Sequence, residues 1–231
     1  MTGTDETTVA ILTVGDELLT GQTENTNATW LARQLHARGA TVARVEVVPD
    51  DRPTIAQTVN RLRSTHDAVL VTGGLGPTHD DVTMDAIADA FDVPLAENQA
   101  VLEWFETESE YARADLVEGT TAIPENATFL PNTAGVAPGA QVENVFVLPG
   151  VPQEMKAMFE QIADEFEGPE TTTEVLTSER PESELVAALR TTSERFDVRV
   201  GSYPGAVVTV RIQGTDPEAV EAAAGWLEPR L

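Results

Sequence analysis

Apolar residues recur along this chain with two different periods. Val9 to Val14, Thr41 to Val48, Ala68 to Val71 and Val142 to Leu148 are short apolar runs. Such runs suit strands buried on both faces. Between them the spacing shifts to three and four. Ala28, Leu31, Ala32 and Leu35 share one helical face, with Thr26-Asn27 as the candidate cap and Gly39 as the stop. Ile55, Val59 and Leu62 follow Pro53, which suits a first helical turn. Met84, Ile87, Ala88 and Phe91 make another face, and Met155, Met158, Phe159, Ile162 and Phe166 another. Val101, Leu102 and Phe105 mark a helix that fades near Glu118-Gly119. Strands alternating with helices predict a mostly parallel sheet with right-handed crossovers.

Gly168-Pro169-Glu170 reads as a boundary. Beyond it the pattern predicts a strand over Thr172 to Leu176 and a helix over Glu184 to Leu189. A hairpin of Val198 to Ser202 and Val207 to Ile212 follows, then a helix from Asp216-Pro217 through Leu227. The expected organisation is an α/β domain over 1–168 and a small α+β domain, ordered βαββα, over 169–231. The second part carries no evident catalytic set and reads as a packing or dimerisation module.

Composition narrows the classes. There is no cysteine, which excludes disulfides and thiolate chemistry and fits a cytoplasmic protein. Met1 to Thr8 is polar and lacks an export signal's apolar core, and no run is long enough for a membrane span. The net charge is −25, with Lys156 the only lysine. That balance argues against a nucleic-acid partner, which needs a basic footprint. It also favours adaptation to high salt, where self-repulsion is screened.

The candidate chemistry sits after the strands. Ala68 to Val71 runs into Thr72-Gly73-Gly74-Leu75-Gly76-Pro77-Thr78-His79-Asp80-Asp81-Val82-Thr83. Glycines allow close backbone approach, amides at a helix start attract phosphate, and paired aspartates suit a hard cation. Equally, the glycines would serve as a plain turn and Asp80 or Asp81 as a helix cap. The first strand ends in Gly15-Asp16-Glu17, a second acidic turn at the same sheet edge. Val142 to Leu148 ends in Pro149-Gly150-Val151-Pro152-Gln153-Glu154-Met155. Trp104 and Tyr111 read as packing residues rather than base-stacking ones, and Lys156 as a surface residue.

Gly15-Asp16-Glu17-Leu18-Leu19-x-Gly21, the Thr72 to Thr83 stretch, Ala137-Pro138-Gly139 and Leu148-Pro149-Gly150-Val151-Pro152-x-Glu154-Met155 resemble the competence/damage-inducible protein A family. Its N-terminal domain belongs to the molybdopterin-binding, or molybdenum cofactor biosynthesis, superfamily. The four motifs occur in family order over roughly residues 9–166. The resemblance implies a three-layer α/β sandwich with a pocket at the strand ends. It does not extend to the amidohydrolase domain of longer members, so no deamidase activity is expected.

By resemblance the activity is divalent-metal-dependent hydrolysis of nucleoside-diphosphate linkages, of the ADP-ribose or FAD type. The alternative is a molybdopterin-binding protein. Asp16, Glu17 and Asp81 are the catalytic candidates, and Asp16, Asp80 and Asp81 the candidate ligands for Mg²⁺, Mn²⁺ or Co²⁺. Asn27, Gly73, Gly74, Gly76, Thr78, Thr83, Gly135, Gly139, Gly150 and Glu154 are the candidate substrate contacts. The expected partner is a small nucleotide or pterin, and the expected assembly a homo-oligomer. Val136 stands where the family usually has threonine, so one hydroxyl for a phosphate is missing.

Overall fold

The computed structural model describes residues 7–108, 119–169 and 171–231. Tyr111 and the expected fading of a helix at Glu118 lie outside them. The chain divides into two compact units between Gly168 and Pro169.

The first unit is built on a six-stranded sheet, ordered β2-β1-β3-β8-β7-β6. Its strands are β1 (Thr8–Val14), β2 (Thr41–Val48), β3 (Ala68–Thr72), β6 (Thr128–Leu130), β7 (Gly139–Val142) and β8 (Val145–Leu148). β1 pairs in parallel with both β2 and β3, and β3 with β8. β7 runs antiparallel to both β8 and β6. Val142 to Leu148 is therefore two strands, not one. The chain reverses at Glu143-Asn144, where Glu143 adopts a left-handed φ of 50°, and Asn144 Nδ2 holds the turn by donating to the Arg63 and His66 carbonyls. Hydropathy runs unbroken through this hairpin because both arms are buried.

Strand alternation sends side chains to two separate cores. Val9, Ile11, Leu70, Phe146 and Leu148 face α2 (Thr26–Ala37) and α6 (Pro152–Ile162). Ala10, Leu12, Val69, Val71, Val145 and Val147 face α3 (Arg52–Arg63) and α4 (Thr83–Phe91). The result is three layers, helix, sheet, helix. In the first core Phe159 stacks on Phe166 at 5.8 Å, and Phe146 meets Phe166 edge-on at 5.2 Å. Each such buried side chain contributes about 1.5–3 kcal/mol. A smaller cluster joins Val101 and Phe105 of α5 (Gln99–Thr107) to Ile123 and Ala140. Trp104 packs there against Phe105 and Phe129. Two further strands, β4 (Leu95–Glu97) and β5 (Ala122–Pro124), pair antiparallel. They have three residues each, too few for a periodic signal.

Capping differs from expectation in two places. Asn25, not Thr26 or Asn27, caps α2 by accepting from the Ala28 N–H. Neither Asp80 nor Asp81 caps α4, whose first turn has no side-chain cap. Each residue is used elsewhere.

The second unit has a three-stranded antiparallel sheet, β10 (Arg199–Tyr203), β11 (Val208–Gly214) and β9 (Thr172–Ser178) in that order. α7 (Glu182–Phe196) and α8 (Pro217–Leu227) cover one face around Leu185, Val210, Ile212, Val220 and Leu227.

Candidate functional site

The ends of β1, β2, β3 and β8 meet at one edge of the sheet, and the loops leaving them form the site. Gly73 donates its N–H to the Leu148 carbonyl. At φ +108° its missing side chain lets the loop lie against the Val14 carbonyl. Gly150 approaches less closely, its ideal Cβ position being 3.2 Å from Gly73 Cα. Gly74, at φ +65°, rests on the Thr83 hydroxyl. Glycine is the residue that tolerates both the φ and the approach.

Two cavities flank the Gly73-Gly74 step. The larger, of about 490 Å³, is lined on one side by Gly74, Leu75, Gly76, Pro77, Thr78 and Asp81. Met84, Asp85, Leu95, Gly119, Thr120, Ala122, Val136, Ala137 and Pro138 complete its lining. The smaller, of about 120 Å³, is lined by Glu17, Asn27, Thr72, Gly73 and Gly150 among others. The candidates Asp16, Glu17 and Asn27 therefore do not share a cavity with Thr78 and Asp81.

Each side chain has a definable environment. Asp81 accepts from the Thr78 N–H at 3.0 Å and from the Thr78 hydroxyl, which shapes the loop around Gly76. Asp80 is exposed. Asn27 Nδ2 donates to the Gly150 carbonyl at 2.7 Å, while its Oδ1 is buried without a partner. Thr83 is fully buried, and its hydroxyl also has no partner. Unpaired buried polar atoms are costly, and two of them stand at this one sheet edge.

Gly135, Gly139 and Glu154 line neither cavity. They adjoin Val136, Ala137 and Pro138, which line the larger cavity. Buried Asn132 donates Nδ2 to Glu154 Oε2 at 2.7 Å and to the Ala137 carbonyl at 3.0 Å. Gly135 lies directly on the Glu154 carboxylate, and Gly139 on Met158 and the Val147 carbonyl. Through Asn132 the Glu154 carboxylate is tied to Ala137, a lining residue of the larger cavity. Lys156 lies over the Trp30 ring at 5.6 Å.

Sequence reasoning missed Asp50. It lies in the turn two residues beyond β2, accepts the Asp16 N–H at 2.9 Å and reaches the Gly74 step. Burial pushes its carboxyl above the ordinary aspartate value. The Asp16 N–H opposes that rise, and the charges of Asp16, Glu17 and Asp80 add to it. The signal was available, since Pro49-Asp50-Asp51 is a third acidic turn after a strand. Arg52 was also missed. It donates to Asp85 at 2.8 Å and to both Asp89 oxygens, so it compensates a carboxylate of the cavity lining.

Among the described residues, no three His, Asp or Glu side chains stand close enough together to hold a metal ion. Asp16, Asp80 and Asp81 do not form such a group, so they do not fit a preassembled cation site. What the arrangement offers is a glycine-lined, partly apolar recess with carboxylate acceptors and a buried hydroxyl.

The family model described as "probable molybdopterin binding domain" matches residues 10–167. A protein of Archaeoglobus fulgidus is 40% identical over 223 residues, covering 96% of each chain. A CinA-like protein of Myxococcus xanthus is 41% identical over 164 residues, which are 66% of this chain and 38% of that one. The solved structure of the CinA protein of Thermoplasma acidophilum is similar at a TM-score of 0.64 and 33% identity, covering 70% of this chain and 98% of that one. With its strand-end glycine loop and this agreement, the chain belongs to the probable molybdopterin binding domain family and is CinA-like within it.

Proposed function

We propose that the chain is a binding protein for a phosphorylated pterin of the molybdopterin type, held in the larger cavity. The observation that carries this reading is the pairing, in one recess of about 490 Å³, of a glycine loop with an apolar lining. The volume suits a small-molecule site. Leu75, Met84, Leu95, Val136 and Pro138 give a ring its apolar contacts. Main-chain amides of the loop suit a phosphate, and the unpaired Thr83 hydroxyl beneath Gly74 is a donor in reserve. Asp81 and Asp85 supply acceptors for the amino groups of a pterin. The description of the matching family supports the same ligand class.

Hydrolysis of a nucleoside-diphosphate linkage is the second reading. The observation favouring it is Asp50, a carboxyl with a raised pKa facing Asp16, Glu17 and Asp80. Such a group is disposed to exchange a proton with water. Titration calorimetry with molybdopterin and with ADP-ribose separates the two, followed by product analysis with Mg²⁺, Mn²⁺ and Co²⁺. Tight pterin binding without ADP-ribose turnover is the expected result. Turnover without pterin binding reverses the ranking, and neither binding nor turnover removes both readings.

A further inference from the structure

The segment Val42-Ala43-Arg44-Val45-Glu46-Val47-Val48 sets two opposite charges either side of a central valine, with apolar residues beyond them. About Val45, Arg44 mirrors Glu46, Ala43 mirrors Val47 and Val42 mirrors Val48. This segment is most of β2, the outermost strand of its sheet. Only β1 pairs with it among the described residues. Ala43, Arg44 and Val45 are exposed, Val45 by 47%.

The backbone shows which groups face outward. Val9 pairs with Val42 and Ala10 with Arg44, so Ala43 is an extra residue in β2. Beyond it, the Glu46 carbonyl accepts from the Thr13 hydroxyl and the Val48 carbonyl from the Gly15 N–H, both toward β1. By alternation, Val45 and Val47 turn their N–H and C=O groups away from the sheet. Arg44 and Glu46 share the α3 face, where Glu46 meets Arg61 at 2.6 Å and Arg44 of its own strand at 3.3 Å, and Arg61 foremost lowers its carboxyl below the usual range.

We propose that the β2 edge pairs antiparallel with β2 of a second copy, on a two-fold axis through Val45. In that register the two Val45 residues exchange both backbone hydrogen bonds. Arg44 of each copy, 3.3 Å from Glu46 of its own strand, also stands opposite Glu46 of the other, twice per interface. Charge fixes the register. Moving the axis to Arg44 sets arginine against arginine, and moving it to Glu46 sets glutamate against glutamate. A shift by one residue sets Arg44 against Val45 and carries its side chains to the wrong face. The contact is isologous and closes on itself, and it covers the open edge that an eight-residue strand otherwise exposes. It joins two six-stranded sheets into one and leaves the strand ends, with Asp50 and the glycine loop, uncovered.

The test is the mass of the full chain in solution, read by sedimentation equilibrium with circular dichroism as the check on folding. The parent protein is expected to be a dimer. Arg44→Glu replaces two attractive cross-strand pairs by repulsive ones and should weaken association by roughly tenfold or more. A second variant does not depend on dissociation. The chain has no cysteine, and residues paired this way stand about 5.5 Å apart at Cα, within reach of a disulfide. Val45→Cys should cross-link to a dimer under mild oxidation, and the exposed control Val175→Cys should not. A monomeric parent, a dimer indifferent to Arg44→Glu, or Val45→Cys cross-linking no faster than Val175→Cys overturns the proposal.

Discussion

The backbone N–H of Asp16 donates to the carboxylate of Asp50 across 2.9 Å. One bond thus ties the turn after β2 to the start of the one-turn helix Asp16–Leu19 that follows β1. Asp50→Asn keeps an acceptor for that N–H and removes a charge that burial and three neighbouring carboxylates disfavour. Because the folded carboxyl titrates above the unfolded one, ionised Asp50 opposes folding at neutral pH and ceases to do so in acid. Asp50→Asn should therefore melt higher at neutral pH, by about 1–2 °C given solvent screening. The gain should shrink as pH falls through the raised pKa to 3.8, the ordinary aspartate value. Thermal melts across that range decide it, and an equal gain at both ends would rule out the charge as cause.

Thr83 separates stability from binding. Its hydroxyl is buried without a partner, which costs about 1–3 kcal/mol. Thr83→Val removes that burden at nearly constant volume. The free protein should gain about 1 kcal/mol in urea unfolding, while stabilisation by added pterin should fall. A variant that is more stable and binds unchanged would make the hydroxyl a packing defect.

The glycines should rank by what their absent side chains would strike. At Gly73 a Cβ meets the Val14 backbone carbonyl with φ +108°, and nothing there can move aside. At Gly76 it meets the end of the Asp81 side chain at 2.6 Å. Gly73→Ala should cost more than about 2 kcal/mol. Gly76→Ala should cost less in stability but displace Asp81 and weaken ligand binding. Chemical denaturation of both variants beside titration calorimetry tests the order.

Asn132 adjoins the lining of the larger cavity. Asn132→Ala leaves the Glu154 carboxylate and the Ala137 carbonyl without their donor. The expected loss is about 2 kcal/mol, with weaker pterin binding because Val136 to Pro138 lose their anchor. Urea midpoints and calorimetry measure both effects.

Hydropathy carried most of the first unit. β1, β2, β3 and the helices between them are long, periodic and bounded by glycine or proline. The pattern failed where its period says nothing. The Glu143-Asn144 hairpin is invisible because both arms are apolar, and β4, β5 and β6 are too short to show alternation. At the site, the glycine loop announced itself by composition, but partnership did not. Glu154 and Gly135 were candidate contacts, yet they meet each other and line neither cavity. Asp50 looked like one surface acid among 39 Asp and Glu. What distinguishes it is a bond to a residue 34 positions away, which only the sheet order creates.

β3 lies between β1 and β8, so the glycine loop after it rests on carbonyls from both neighbours. No single segment carries the recess. A chain in which β3 had yet to slot into place would lack its lining and its donors at once. Occupancy would then report completed assembly of the whole sheet, and a ligand present during synthesis would select for finished molecules over arrested ones.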